Sequence, residues 1–170
     1  MKHYLIGALV ILSADLFSQD KLRAETSAVN SIDGIVNEVL EIITVEKGEG
    51  VDLEKFRNLF VPNARFSMLT PNDSIAQPLE TVSLDEFIEM LDDPYYEQGY
   101  LEYEMGKVVN EYNGIAQVFQ SFYGKDSDNL VERGITSYQL VYFNDRWWIV
   151  NILWTTDANG VAVPEKYMAK

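Results

Sequence analysis

The chain has no cysteine, and its 170 residues include a single histidine, His3. Without cysteine it forms no disulfide framework and carries no lipoprotein anchor, so its stability must come from the packed core alone. Because His3 lies in the N-terminal segment, we expect no imidazole in the mature protein. We therefore expect no serine or cysteine triad, no histidine-ligated metal and no cofactor.

Positive charge is scarce as well. Lysine and arginine number 13 against 27 aspartate and glutamate residues, which gives a formal net charge of −14. Nucleic acids and anionic membranes both attract basic surfaces, so we expect neither as a partner of the mature protein. The acidity itself is explained by solubility. A hydrophobic content of 47% with 12% aromatic residues is typical of a globular protein and excludes general disorder.

The apolar run at the N-terminus, Tyr4–Leu12, has nine residues and is too short to cross a bilayer as a helix. It follows a short basic start and precedes small residues, a pattern typical of a secretory signal peptide. We predict a signal peptide over residues 1–18 and a flexible lead-in over residues 19–30, and hence a secreted or periplasmic protein. An uncleaved interfacial anchor is the alternative.

Three helices are predicted in the first half of the chain. The first follows an N-cap at Ser31, places its apolar residues on one face and ends before Gly48. The second begins at Asp52 and ends at Pro62. The third carries a capping box, in which the Ser83 hydroxyl accepts a backbone N–H and the Glu86 carboxylate reaches back.

The strands are predicted from alternating apolar residues. A first strand covers Ala64–Leu69, and the remaining strands follow the third helix. Asn113–Gly114 is the strongest hairpin signal, because both residues accept the positive φ of a type I′ turn, and a second hairpin turns at Asn144–Asp145. Helices segregated from antiparallel strands indicate an α+β domain, which we place at residues 31–157 with a tail over 158–170.

Two stretches resemble a known family. LFVPNARF, at Leu59–Phe66, lies between a short helix and the first strand. RGITSYQLVYFNDRWWIV, at Arg133–Val150, has the glycine, the apolar strand, the tight turn and the Trp-x-Ile of a last hairpin. Together they resemble the nuclear transport factor two superfamily, which includes SnoaL-like polyketide cyclases and ketosteroid isomerases, over about residues 31–155.

The resemblance implies a cone-shaped fold: a strongly bent antiparallel sheet wrapped over three N-terminal helices, with a pocket at the open end. It does not choose a chemistry, because the family includes isomerases, dehydratases, epoxide hydrolases and non-catalytic binding domains. The lack of histidine departs from the members that use a His–Asp pair for dehydration.

The last hairpin has apolar residues on both faces, which indicates that both faces are covered. A two-residue turn pairs Tyr138 with Asn151 on a face that mixes polar and large apolar groups, so we assign that face to the pocket. The other face then carries Trp148, Ile152 and Trp154, and we predict a homodimer through it. A three-residue turn would change the pairing, and the faces would then be reversed.

Three functions are compatible with these features. We favour a secreted, non-catalytic domain that binds a small apolar or aromatic ligand. The alternatives are a cofactor-free isomerase or lyase, which would use one buried carboxylate and a tyrosine, and a structural or interaction domain whose cone is filled. The predicted pocket residues are Phe66, Met68, Tyr95, Tyr96, Tyr103, Tyr138 and Asn151.

Acidic residues supply the candidates for catalysis, although we assign none of them a catalytic role. The candidates are Asp85, Glu89, Glu102 and Glu104. An acid that is buried in the pocket and points at Tyr138 or Tyr103 would favour the enzyme. The DSDN stretch at Asp126–Asn129 lacks the third oxygen ligand of a calcium loop, so we interpret it as a solvated loop and predict no metal site.

Overall fold

The computed structural model describes residues 27–71 and 78–168, so the predicted signal peptide lies outside the described residues. None of the described helices has both the length and the apolarity needed to cross a membrane. The elements in chain order are α1 Ile32–Ile43, α2 Leu53–Arg57, β1 Phe60–Leu69, β2 Leu79–Ser83, α3 Leu84–Leu91, β3 Tyr100–Tyr112, β4 Ile115–Asp126, β5 Val131–Phe143 and β6 Arg146–Thr156.

All three helices begin at the predicted caps. The side chains of Ser31 and Asp52 each accept a backbone N–H of the first turn, at 3.0 Å in both cases. Both hydrogen bonds of the capping box between Ser83 and Glu86 are present. The end of α2 differs from the prediction, because that helix stops at Arg57 and Pro62 lies within β1.

The six strands form one sheet in the order β2-β1-β6-β5-β4-β3. The α+β fold class is confirmed, but the sheet is mixed and not purely antiparallel, because β1 pairs with β6 in parallel. β2 was not predicted, since its sequence LETVS is short and has little apolar alternation. Both predicted turns form, with positive φ at Asn113, Gly114, Asn144 and Asp145.

The core lies between the helices and one face of the sheet, which we call the inner face. Aromatic rings of α2, β1 and α3 fill one part of it. Phe66 and Phe87 stack with ring centroids 4.2 Å apart, and Phe56 lies 4.8 Å from Phe60. This cluster fixes α2 and α3 against the N-terminal strand.

A bulge in β6 changes the predicted pairing of the last hairpin. Leu140 pairs with Ile149 as predicted, but Gln139 pairs with Asn151, so Val150 is an extra residue in β6. Because successive side chains of a strand point to opposite faces, the extra residue moves every later side chain of β6 to the other face.

The bulge therefore corrects three assignments. Tyr138 pairs with Ile152 and not with Asn151. Ile152 is only 6% exposed and lies on the inner face, and Trp154 packs against the same core. Of the three residues that we predicted to form a dimer contact on the outer face, only Trp148 lies there.

The packed chain extends beyond the predicted domain boundaries at both ends. Val29 is buried, and its carbonyl accepts the N–H of Trp147 at 2.8 Å. At the other end, the Tyr167 ring stacks on Phe119 at 5.5 Å, and the Ser121 hydroxyl donates to the Tyr167 carbonyl at 2.6 Å. The C-terminal segment thus covers part of the outer face of β3 and β4.

Candidate functional site

A cavity of about 280 Å³ lies between the inner face of the sheet and the helices. The three helices form one wall, and the strands β1, β3, β4, β5 and β6 form the other. The exposed residues Met90, Tyr95 and Glu132 mark its mouth. The interior is mainly apolar and aromatic, with contributions from Val39, Ile43, Phe56, Phe66, Met68, Phe87, Leu91, Tyr96, Tyr100, Phe122, Tyr138, Ile152 and Trp154.

The structure brings five of the seven predicted pocket residues to this cavity. They are Phe66, Met68, Tyr95, Tyr96 and Tyr138. Their position on the cavity wall agrees with the prediction, whereas their contact with a ligand remains a prediction.

Tyr103 and Asn151 do not reach the cavity. Tyr103 is 48% exposed on the outer face, where its ring stacks on Tyr123 at 4.9 Å. We had assigned the wrong face of β3, because the residues that point inward are those on either side of Tyr103. The Asn151 amide donates to Gln139 Oε1 at 2.8 Å on the outer face, as the β6 bulge requires.

Glu102 is the carboxylate of the cavity. Its Oε2 accepts a hydrogen bond of 2.6 Å from the Tyr100 hydroxyl. Its backbone is fixed by Thr44, just after α1, whose hydroxyl accepts from the Glu102 N–H at 3.0 Å and donates to the Glu102 carbonyl at 2.9 Å. These bonds hold a carboxylate of β3 at the end of α1, facing the cavity.

Burial raises the pKa of Glu102 to about 7; the Tyr100 hydrogen bond works in the opposite direction, and the nearby Glu132 carboxylate adds to the increase. Among the described residues, no lysine or arginine forms an ion pair with Glu102. Burial also raises the pKa of Tyr96 and of Tyr100, and in both the Glu102 carboxylate contributes. Glu102 can therefore exchange a proton near neutral pH.

Most tyrosine hydroxyls of the cavity already donate within the protein. Tyr138 donates to Gln120 Oε1 at 3.1 Å, and the other end of that amide donates to Glu104 Oε2 at 2.8 Å. At the mouth, Tyr95 donates to Asp126 at 3.0 Å. Within the described residues, the Tyr96 hydroxyl forms no hydrogen bond, so it is available to a ligand.

No group of three or more acidic or histidine side chains in the described part of the chain could hold a metal ion. Asp126 instead closes its own loop, since its Oδ1 accepts the N–H groups of Asp128 and Leu130 at 3.0 and 2.8 Å.

The sequence missed several residues of the cavity. Ile152 and Trp154 were assigned to the outer face, and Glu132 at the mouth was not considered. Glu102 was among the candidate acids of the sequence, and it lines the cavity together with Tyr100 on the same face of β3.

No family model matches the sequence, and no curated protein matches it. Solved structures do match. A nuclear transport factor two-like protein with a cystatin-like fold from Novosphingobium aromaticivorans has a TM-score of 0.58 at 11% identity, over 98% of this chain and all of that one.

Two further structures are similar in the same way. A nuclear transport factor two-like protein from Cytophaga hutchinsonii has a TM-score of 0.56 at 12% identity, over 72% of this chain and 92% of that one. One of unknown function from Shewanella baltica has a TM-score of 0.50 at 13% identity, over 81% and 94%. The chain thus has the nuclear transport factor two-like fold. At these identities the likeness shows the fold and no particular activity.

Proposed function

We propose that the protein binds a small, mainly apolar ligand in the cavity between the helices and the inner face. The observation that carries this proposal is the combination of an aromatic and aliphatic wall with one partly buried carboxylate, Glu102, hydrogen-bonded to Tyr100. Ligand sites typically place a few polar groups in an apolar wall. A cavity of about 150 Å³ holds benzene, so one of about 280 Å³ suits a ligand of roughly ten to twelve non-hydrogen atoms.

The test is a titration with a neutral, mainly apolar dye of about eleven non-hydrogen atoms, 1-aminonaphthalene, followed by its fluorescence. Thr136 lines the cavity and Ser137, its neighbour in β5, lies on the outer face, so the pair offers a matched comparison. We expect Thr136→Phe to fill the cavity and to weaken dye binding at least about tenfold. Ser137→Phe should bind the dye as the parent does. Equal affinity in all three proteins would place the dye elsewhere and reject the cavity as the site.

A second candidate function is proton transfer, favoured by the position of Glu102 and its pKa of about 7. The ionised carboxylate would remove a proton from a carbon next to a carbonyl and return it to the same or another carbon, so no cofactor is needed. Tyr96 is the nearby hydroxyl with no partner in the described residues, and it would donate to the carbonyl oxygen. Tyr100 and Tyr138, in contrast, already use their protons, which favours binding over catalysis.

Proton transfer is tested with 2-tetralone in D₂O. If the second candidate is right, the parent protein accelerates deuterium uptake at the carbons beside the carbonyl, and Glu102→Gln does not. Uptake at the uncatalysed rate with the parent protein would reject proton transfer for this ketone and leave the binding proposal as it stands.

The predicted signal peptide supports a place for this function outside the cytoplasm. Its support is the apolar run Tyr4–Leu12 after a basic start. Expression of the full chain in a bacterium, with mass spectrometry of the protein from the periplasm, gives the mature N-terminus. A mature chain that retains Met1 in the cytoplasmic fraction would contradict the prediction.

A further inference from the structure

The ionisable groups of the cavity are acidic. Among the described residues that line it, Glu102 and Glu132 are the acids, and none is a lysine, arginine or histidine. A carboxylate taken from water into apolar surroundings is costly unless a positive charge or several hydrogen bonds compensate it. Within the described chain, the Glu102 side chain accepts one hydrogen bond, from Tyr100, and no cation lines the cavity beside it. A ligand that carries positive charge would supply the missing partner.

Hydrogen-bond donors are mostly used up inside the cavity. The hydroxyl protons of Tyr100 and Tyr138 point at Glu102 and at Gln120, so the phenolic oxygens present lone pairs to a ligand. At the mouth, the Tyr95 hydroxyl likewise donates its proton to Asp126. A ligand whose polar end is an acceptor finds few donors here, whereas a donor or a cation finds several oxygens.

Three tyrosine rings form a corner beside Glu102. Tyr95 and Tyr96 lie edge to face, with centroids 5.7 Å apart and an interplanar angle of 87°, and Tyr96 and Tyr100 do so at 6.2 Å and 73°. Perpendicular aromatic rings around a small volume are the arrangement that recognises quaternary ammonium groups, because each ring face is electron-rich. All three rings line the cavity.

We propose that the cavity selects an organic cation, an ammonium group on a compact apolar body, with the charge held by Glu102 and the faces of Tyr95, Tyr96 and Tyr100. This inference rests on the proposed function and names the class of its ligand. The apolar body would occupy the part of the cavity lined by Phe66, Phe87 and Trp154.

The negative charge of the whole chain also favours a cationic ligand. The net charge is −14, and the carboxylates of Asp93, Asp126 and Asp128 lie close enough to the tyrosines at the mouth to affect their titration. A mouth flanked by acids raises the local concentration of cations and repels anions.

The test compares two probes of the same shape, benzyltrimethylammonium and its neutral analogue neopentylbenzene, by calorimetric titration at pH 8. Each has about eleven non-hydrogen atoms, the size estimated for the cavity. We expect the cation to bind the parent protein at least about tenfold more tightly than the neutral probe. In Glu102→Gln that preference should disappear, with the affinity for neopentylbenzene retained.

The matched control is Glu111→Gln. Glu111 is an exposed acid of the same strand and does not line the cavity. The substitution therefore removes one negative charge from the whole chain and none from the cavity. It should keep the preference for the cation. Loss of the preference in both variants would attribute the effect to net charge and overturn the inference.

The pH dependence of binding is an independent test, because benzyltrimethylammonium itself does not titrate. The titratable groups that face Glu102 are Glu132 and Tyr138 on β5, Tyr100 on β3 and Tyr96 in the preceding turn. We expect the cation to bind more weakly as the pH falls through about 7, the pKa of Glu102, with little change for neopentylbenzene.

The outcomes separate the inference from the proposed function. If both probes bind the parent equally and Glu102→Gln changes neither, the selection of a cation is overturned and the ligand-binding proposal stands. If neither probe binds and the neutral dye also fails, both are overturned.

Discussion

Glu102 and Glu104 lie two residues apart on β3, and both point to the inner face, yet their surroundings differ. Lys107 contacts both oxygens of Glu104, at 2.8 and 3.1 Å, and Gln120 donates to it at 2.8 Å. Glu102 receives one hydroxyl, that of Tyr100, and no cation of the described chain pairs with it. One carboxylate is compensated inside the protein and the other is not.

The difference shows how one strand face supports two roles. The ion pair and the amide fix Glu104 as part of the scaffold that positions Tyr138. Glu102 faces an open volume, and its compensation is left to a proton or to a ligand. A largely buried acid that lacks a cation costs stability, and such a cost is expected where a site needs the group for binding or chemistry.

The largest effect is expected when Glu104 loses its cation. Lys107→Met should lower the free energy of unfolding by about 3 kcal/mol, because it removes the cation of a largely buried carboxylate and leaves it only the Gln120 amide. The side chains of Lys107 and Glu104 are only 17% and 19% exposed, so water replaces the ammonium poorly. Urea unfolding at pH 7 measures the change, and Lys107→Arg, which keeps the charge, is the control. A loss below about 0.5 kcal/mol would show that the pair acts as an ordinary surface salt bridge.

Removing the charge of Glu102 is expected to raise the free energy of unfolding. Since its folded pKa is raised, the folded state loses stability as the pH rises from the usual value of 4.5 to about 7, where the loss is complete. The difference between a pKa of 4.5 and one of about 7 corresponds to at most about 3 kcal/mol, and water that reaches the partly exposed carboxylate reduces it. Glu102→Gln removes this dependence and should be more stable than the parent by about 2 kcal/mol at pH 8, with little difference at pH 4. Urea midpoints at the two pH values test it. Parallel pH profiles for the two proteins would mean that Glu102 is compensated after all.

A smaller change is expected when the Tyr100 hydroxyl is removed. Its hydrogen bond lowers the pKa of Glu102, against the larger effect of burial. Tyr100→Phe should therefore raise the pKa of Glu102 further, by about one unit if the bond contributes roughly 1.4 kcal/mol. Carbon-13 NMR of the glutamate carboxyl groups follows the titration. Tyr103→Phe, on the outer face of the same strand, should leave the Glu102 titration unchanged.

The smallest effect is expected on the outer face of β6, and it tests the assignment of faces on which the comparison rests. Asn151→Leu breaks an exposed amide pair with Gln139, so it should cost no more than about 0.5 kcal/mol and leave probe binding unchanged. The same titrations and urea curves measure both. A tenfold loss of probe affinity would return Asn151 to the cavity and reverse the assigned faces.

Local signals in the sequence predicted much of the fold. The caps at Ser31, Asp52 and Ser83 and the turns at Asn113–Gly114 and Asn144–Asp145 all form. These features depend on hydrogen bonds and φ angles within a few residues, so the local sequence is enough to predict them.

The cavity was predicted less well, because side-chain direction along a strand depends on an exact count of residues. One extra residue at Val150 moved Ile152 and Trp154 inward and Asn151 outward. Neither glycine nor proline marks this bulge. It accompanies the bending of the sheet around the helices, a tertiary requirement that local patterns do not encode. On β3, the error at Tyr103 has a simpler origin, since glutamates face water more often than tyrosines and here the glutamates point inward.

The parallel pairing of β1 with β6 has a consequence for how the chain folds. The Thr155 hydroxyl donates to the Leu69 carbonyl across 86 residues of sequence, and β1 finds its other neighbour only in the short β2. β1 therefore cannot pair with β6, its main partner, until nearly the whole domain has been synthesised. Contacts that close such long loops slow folding, so we expect this domain to fold in milliseconds to seconds. In a chain that ends before β6, β1 and β5 should remain unconnected.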